Sequence, residues 1–249
     1  MRSPAPTRQA CLLLLAALLA VALLAEDANL EHARQVNLER AANMPNFVAD
    51  EIAERYSGHA GSSKWTHIDT VTTEITVKGI QISRQNWRKN GKPSSKSENW
   101  AMPSTGFGAA LKPLFDPACP TTLTFADRER VHRQPVLAYQ FSSPANGCFG
   151  NLYGRTAYNA ARTGRVLIGA STGEVLQFEE DATGFPEGFG FTERHQVMTW
   201  DTVHIAGAAH WLPVAADFIW TYAGDSRLRI SIEYKNHRHF EAASNITYK

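Results

Sequence analysis

Apolar and polar residues alternate along most of this chain, and two stretches depart from that rhythm. Between residues 27 and 43, Leu30, Ala33, Val36, Asn37 and Ala41 recur at helical spacing, while Glu31, Arg34 and Arg40 fall largely elsewhere. The pattern predicts a helix that ends near Asn43, because Pro45 disfavours the α region in the residue before it. In the second stretch, Phe107, Ala110, Leu111, Leu114 and Phe115 share one helical stripe, with Ser104 or Thr105 placed to cap it. Pro113 conflicts with a longer helix, so the expected element runs from about 106 to 112 and gives way to a distorted turn into Asp116-Pro117. Residues 47–56 satisfy both periods: Val48, Ile52 and Tyr56 make a helical stripe and also tolerate a period of two.

From Trp65 onward the period is two. Val71, Thr73, Ile75 and Val77 alternate with Thr70, Thr72, Glu74 and Thr76, which predicts a strand with its apolar face on the odd positions. Lys78-Gly79 turns the chain, and Ile80 and Ile82 begin a return strand that runs to Trp87 before the turn signal Asn90-Gly91. Further strands are expected around Leu123 and Phe125, over Val136–Phe141, around Val166 and Ile168, around Leu176 and Phe178, and around Val203 and Ile205. Trp211-Leu212-Pro213 resumes beyond Gly207, and Leu228, Ile230, Ile232 and Tyr234 give the cleanest alternation in the chain. The loop-like segments are Ser57–Ser63, Lys89–Ser97, Ser142–Gly147 and Asp181–Gly190, none of them long enough to mark a domain boundary. With no internal repeat, the expectation is one antiparallel α+β domain.

Composition narrows the setting. Hydrophobic residues make up 43% of the chain and aromatics 10%, which suits a packed core. The 25 Lys+Arg against 24 Asp+Glu give no electrostatic basis for binding nucleic acid. Arg2 and Arg8 precede an apolar run from Cys11 to Leu24, followed by small residues: the layout of a secretory signal peptide. The expected organisation is therefore a signal over 1–25, cleaved after Ala22 or Ala25, and a mature domain over 26–249. The mature chain is expected to be periplasmic or secreted, with membrane contact only peripheral or transient. Cys119 and Cys148 remain after cleavage, an even number in an exported chain, and are read as one disulfide.

The ordered elements resemble a known group, the periplasmic lipoprotein-carrier fold of LolA and LolB and of related lipid-binding and envelope-sensing proteins. They resemble more closely a family of exported bacterial proteins that shares this topology. The residues that carry the resemblance are Asn43-Met44-Pro45-Asn46-Phe47, Arg55-Tyr56, the run Asp69–Ile75, Ser104–Leu111 with Leu114-Phe115, Gly164–Ile168, Ser171–Leu176, Trp211-Leu212-Pro213 and Tyr234–Phe240. The resemblance covers nearly all of the mature chain and makes 47–56 a strand. It departs at the turn residue Ser171, usually acidic in the family, and in the Cys pair. It implies a strongly curved antiparallel sheet, an incomplete β-barrel, with helices packed on the concave face. In the carriers the hollow between sheet and helices receives acyl chains. The corresponding candidate lining here is Val71, Ile75, Val77, Ile82, Leu137, Tyr139, Phe141, Leu176, Phe178, Leu228, Ile230 and Ile232.

Reactive constellations are weak by comparison. His237 and His239 are spaced to share a strand face but lack a third ligand nearby. Glu179-Glu180-Asp181 reads as a solvated turn before it reads as an acid/base pair or a calcium site. Gly169–Gly173 matches G-x-S-x-G, yet a strand follows Ser171 where the nucleophile elbow requires a helix. No metal, cofactor or catalytic residue is expected. The sequence therefore points to a non-enzymatic envelope protein that binds an apolar ligand, an acyl chain or a lipoprotein anchor. The competing reading is an envelope interaction or sensing module with a filled core and an envelope protein as its partner.

Overall fold

The computed structural model describes residues 28–79, 81–95, 111–153 and 156–240, without the side chains of 151–156. The signal segment, residues 106–110 of the second predicted helix and the C-terminal residues 241–249 lie outside the described residues. Helix α1 occupies 28–42. It is followed by β1 (Phe47–His59), β2 (Thr66–Lys78), β3 (Gln81–Lys89), β4 (Lys92–Pro93) and helix α2 (Leu111–Phe115). Then come β5 (Thr122–Val131), β6 (Gln134–Ser143), β7 (Asn151–Tyr153), β8 (Thr156–Tyr158), β9 (Ala161–Gly169) and β10 (Val175–Thr183). Three long strands complete the fold: β11 (Glu193–Ile205), β12 (Ala208–Thr221) and β13 (Ser226–His239).

Among the described residues, an 11-stranded sheet of order β4-β3-β2-β1-β13-β12-β11-β10-β9-β6-β5 contains every strand except the β7–β8 hairpin. All neighbours in it are antiparallel, and its two edges, β4 and β5, are not paired to each other, so the barrel is open. Residues 47–56 form a strand, whose odd positions are buried. From Asp69 to Val77 the odd positions of β2 are buried too, as the alternation predicts.

One face of the sheet carries the core. Followed through the register, Val71, Ala53, Ile232, Ala216, Met198, Phe178, Val166, Tyr139 and Phe125 form a single unbroken apolar row from β2 to β5. A flat sheet of this width would span about 50 Å at the usual strand spacing. The described part of α1 is only about 22 Å long. Yet Val71, Phe178, Val166 and Tyr139 are 0–1% exposed. The sheet must therefore curl around this face and cover it with its own flanks. The local means are β-bulges, among them those at Val48/Asp50, Thr199/Trp200 and Val175/Gln177, which bend and twist the strands that contain them.

The helices complete the closure. Ala33 on α1 and Leu111, Leu114 and Phe115 on α2 belong to the same core as the concave wall. Helix α2 continues through Pro113 instead of ending at 112. Burial of Leu114 and Phe115 holds that turn, and the Pro113 carbonyl accepts a hydrogen bond from Thr121 Oγ1 at 2.9 Å. Cys119 and Cys148 form the expected disulfide.

A glycine makes the aromatic part of the wall. Phe141 on β6 and Phe178 on β10 are separated by β9, yet their rings stack with centroids 5.2 Å apart. Gly164 lies between them, and a Cβ there would stand 2.6 Å from the Phe141 ring and 2.0 Å from the Glu179 carbonyl oxygen. A backbone oxygen in a neighbouring strand cannot move aside cheaply. Gly164→Ala should therefore lower stability by about 2–3 kcal/mol, read as a fall in urea midpoint at unchanged m-value.

Candidate functional site

The concave face has two ends of different chemistry. At one end α1 is pinned to the β9–β10 turn. Asn37, fully buried, donates through Nδ2 to the Ala33 carbonyl at 2.7 Å and to the Gly173 carbonyl at 2.8 Å. Its Oδ1 accepts from the Val175 backbone N–H at 3.1 Å. Gly173 adopts φ 72° and brings the turn so close that a Cβ would meet the His32 ring at 2.8 Å. Arg40 adds an ion pair to Glu174. Beside this junction lies a cleft of about 350 Å³, lined by Val36, Arg40, Met44, Pro45, Thr172 and Trp211 among others. Trp211 is fixed there by donating Nε1–H to the Val175 carbonyl at 2.8 Å.

At the other end the wall is charged. One step along the strands from the apolar row, the register brings Asp69, Arg55, Ile230, Phe218, Gln196, Glu180, Gly164 and Phe141 into line. Both carboxylates in this line are 1% exposed, and each is bracketed by two cations. Asp69 accepts from Arg55 Nε and Nη2 at 2.5 and 2.6 Å and faces Lys89 Nζ at 3.1 Å. Glu180 accepts from Arg162 Nη1 at 2.5 and 2.7 Å and also from Arg194 Nη2. Arg162 in turn lies over the Phe149 ring at 4.8 Å and donates to the Gly150 carbonyl at 3.2 Å. The disulfide at Cys148 thus anchors the residues that hold this arginine. A third pair, Glu51 with Arg84 at 2.6 and 2.9 Å, is balanced and closer to the α1 end.

These partners set the ionisation. The Arg55 hydrogen bonds, assisted by Lys89, hold Asp69 below the usual carboxylate range against the opposing effect of burial. For Glu180, burial is the largest influence and pushes upward, but the two arginines outweigh it and its pKa is also lowered. Burial pushes the His237 imidazole down. Its Nε2 makes no hydrogen bond among the described residues, and its ring lies 5.5 Å from Phe47.

All of these shifts are downward, so each group contributes stability above its unfolded pKa and loses that contribution as pH falls through the folded value. The melting temperature should therefore decline in two stages. A shallow first stage, as pH drops below about 6.5, belongs to His237 and should vanish in His237→Phe. A steep second stage, below about pH 4, belongs to Asp69 and Glu180. Thermal melts across pH 3–8 separate the two.

The predicted lining residues fall mostly on this wall. Val71, Ile75, Val77, Leu137, Tyr139, Phe141, Phe178, Ile230 and Ile232 are buried in the main core, and Ile82 and Leu228 pack against it. Leu176 does not join them. The bulge at Val175/Gln177 gives the inward position to Val175 and turns Leu176 into a smaller cluster with Val136, Ala138 and Leu167.

The acidic run reads differently too. Glu179-Glu180-Asp181 is strand, not turn: Glu180 points into the core, while Asp181 is exposed and meets His195 Nδ1 at 2.9 Å. Ser171 sits in a turn between two strands, which removes the elbow geometry. Among the described residues no group of His, Cys, Asp and Glu is arranged to hold a metal ion, and no helix is long and apolar enough to cross a membrane.

Sequence reasoning did not single out Arg162 or Arg194; it placed Glu180 in a solvated turn and Asn37 in the helical stripe without a partner for either. Continuing the Phe178 alternation through Glu180 and Ala182 was the one available signal for an inward carboxylate.

No protein-family model and no curated protein matches this sequence. The chain has similarities to several solved structures. The LolA superfamily protein of Nitrosomonas europaea is 9% identical over 90% of this chain and 97% of that one, at TM-score 0.31. A DUF1329 family protein from Desulfovibrio piger is 11% identical over 88% and 95%, at TM-score 0.40. A domain of Vibrio parahaemolyticus assigned to outer membrane lipoprotein sorting is 9% identical over 87% and 94%, at TM-score 0.41.

Proposed function

We propose that this chain is a non-enzymatic binding protein of the cell envelope that takes an acyl chain, free or as a lipoprotein anchor, against the concave wall of its sheet. The observation that carries this reading is the unbroken apolar row from Val71 to Phe125, flanked by the cleft beside α1. In the structure the row is closed over, so uptake requires α1 to lift at the 43–46 link. The energetics allow it. Burying a chain of a dozen or more methylenes yields roughly 10 kcal/mol at about 0.8 kcal/mol per group. Releasing α1 breaks the Asn37 bonds to the β9–β10 turn and one half-exposed ion pair, at about 1 kcal/mol for each hydrogen bond and less for the pair, and uncovers Leu30, Ala33, Leu38 and Ala41, at about 1–2 kcal/mol for each leucine.

The residues we assign to the wall are Val71, Ile75, Val77, Ile82, Leu137, Tyr139, Phe141, Phe178, Leu228, Ile230 and Ile232. Export fits the same reading, since a disulfide persists in an oxidising compartment. A mature domain from residue 26 is the form expected to act.

The alternative, an interaction or sensing module with a filled core, draws on the burial of the wall, most of whose residues are 0–3% exposed. Titration with N-phenyl-1-naphthylamine, an uncharged dye that brightens in apolar surroundings, distinguishes the two. Saturable binding, competed by a fatty alcohol, supports the carrier. A dye signal that stays flat at micromolar protein supports the filled core.

A further inference from the structure

The two ends of the concave wall suggest more than a site for a hydrocarbon. A buried Arg–Glu–Arg cluster contributes less stability than well-packed apolar side chains of similar volume would. Here such a cluster sits at the charged end of a wall whose central row is apolar. Glu180 can neutralise only one of Arg162 and Arg194, and Asp69 only one of Arg55 and Lys89, so each cluster carries one positive charge in excess. Arg162 and Glu180 are almost fully buried, with side chains 2% and 1% exposed.

The hydrogen-bond inventory points the same way. The register sets Arg194, Ala182, Arg162 and Ser143 side by side on the inward face. Arg194 Nε, Arg162 Nε and Ser143 Oγ are all buried and make no hydrogen bond among the described residues. Unsatisfied donors beside uncompensated cationic charge are the complement of an anion, which a guanidinium recognises through short charge-assisted hydrogen bonds.

We infer that the Arg162–Arg194 end of the concave wall seats an anionic group, a carboxylate or a phosphate, on an amphipathic ligand whose hydrocarbon lies along the apolar row. The inference rests on the carrier reading above and adds the headgroup class to it. The ligand is then oriented, with its charge at the end remote from α1 and its tail toward the cleft.

The test uses the mature protein and ligands that differ in the head alone. Dodecanoate and dodecanol are titrated at low salt and pH 8 as competitors of N-phenyl-1-naphthylamine, and inorganic phosphate is added separately in a thermal-shift assay. The expected result is dodecanoate at least tenfold tighter than dodecanol, a preference that shrinks as salt is raised. Arg194→Met removes the excess charge while leaving the Arg162–Glu180 pair, and Gln196→Glu neutralises it by adding a carboxylate beside Glu180. In both variants the ratio of the two affinities, taken within one protein, should fall to near one, and a ratio is readable even where the variant melts earlier.

Equal affinities in the unmodified protein overturn the headgroup seat and leave the carrier reading standing. Failure of both compounds to compete overturns the carrier reading itself. An Arg194-dependent stabilisation by millimolar phosphate without any dodecanoate preference assigns the cluster to a free anion and overturns the amphipathic ligand.

Discussion

Glu180→Gln should be among the most damaging single substitutions in this protein, costing about 3–5 kcal/mol. The reason lies in what it leaves behind. Glu180 is 1% exposed, and Arg162 and Arg194 both donate to it. Glutamine keeps the volume and removes the charge, so two guanidiniums face each other across a wall with little water. Burial already pulls the Arg162 pKa down with Glu180 in place. At the usual entropy of unfolding for a chain of this size, the melting temperature should drop by on the order of 10 °C. Glu179→Gln, one residue away on the solvent side of the same strand, should change it by no more than about 1 °C. Equal effects at the two positions would mean that the alternation along β10 does not bury Glu180.

The second large effect is expected at Asn37. Asn37→Ala strips the partners from the Gly173 carbonyl and the Val175 amide, both at the buried junction of α1 with the β9–β10 turn. Each buried group left unsatisfied costs about 1–3 kcal/mol, so a loss of about 2–4 kcal/mol is expected. Arg40→Ala, which removes the half-exposed ion pair to Glu174 on the same helix, should cost under about 1 kcal/mol. If α1 is the element that lifts, Asn37→Ala should also speed dye uptake in stopped-flow mixing, because the loss falls on the closed state. Amide exchange at Val175 reports the same opening without a ligand, and faster exchange there than in β13 locates the loss at the helix junction.

Much of the fold was legible because its dominant signal is local. Period-two alternation placed β2 and β13 on the correct faces, and the helical stripe from Leu30 to Ala41 predicted α1. What escaped had specific causes. Leu176 was assigned to the concave wall because a bulge cannot be read from alternation, and one extra residue reverses every assignment beside it. Periodicity alone left β1 ambiguous, and only the resemblance made it a strand: its buried face includes Glu51 and Arg55, whose charges interrupt the apolar period. Those charges are tolerable only with Arg84 and Asp69, which arrive from β3 and β2. The Arg162–Glu180–Arg194 cluster was invisible for the same reason: three strands supply it, and no short window of sequence contains it. Asn37 sat in the predicted helical stripe as a lone polar residue, and only the Gly173 turn explains why it belongs there.

The reading stands or falls on whether the concave wall accepts a hydrocarbon chain. Native mass spectrometry of the mature protein, purified from the envelope without detergent, tests this most directly. The account predicts discrete species heavier than the bare chain by the mass of an acyl-bearing molecule, released by gentle collisional activation. A spectrum showing only the bare chain, before and after incubation with a lipid extract of the same cells, would contradict it.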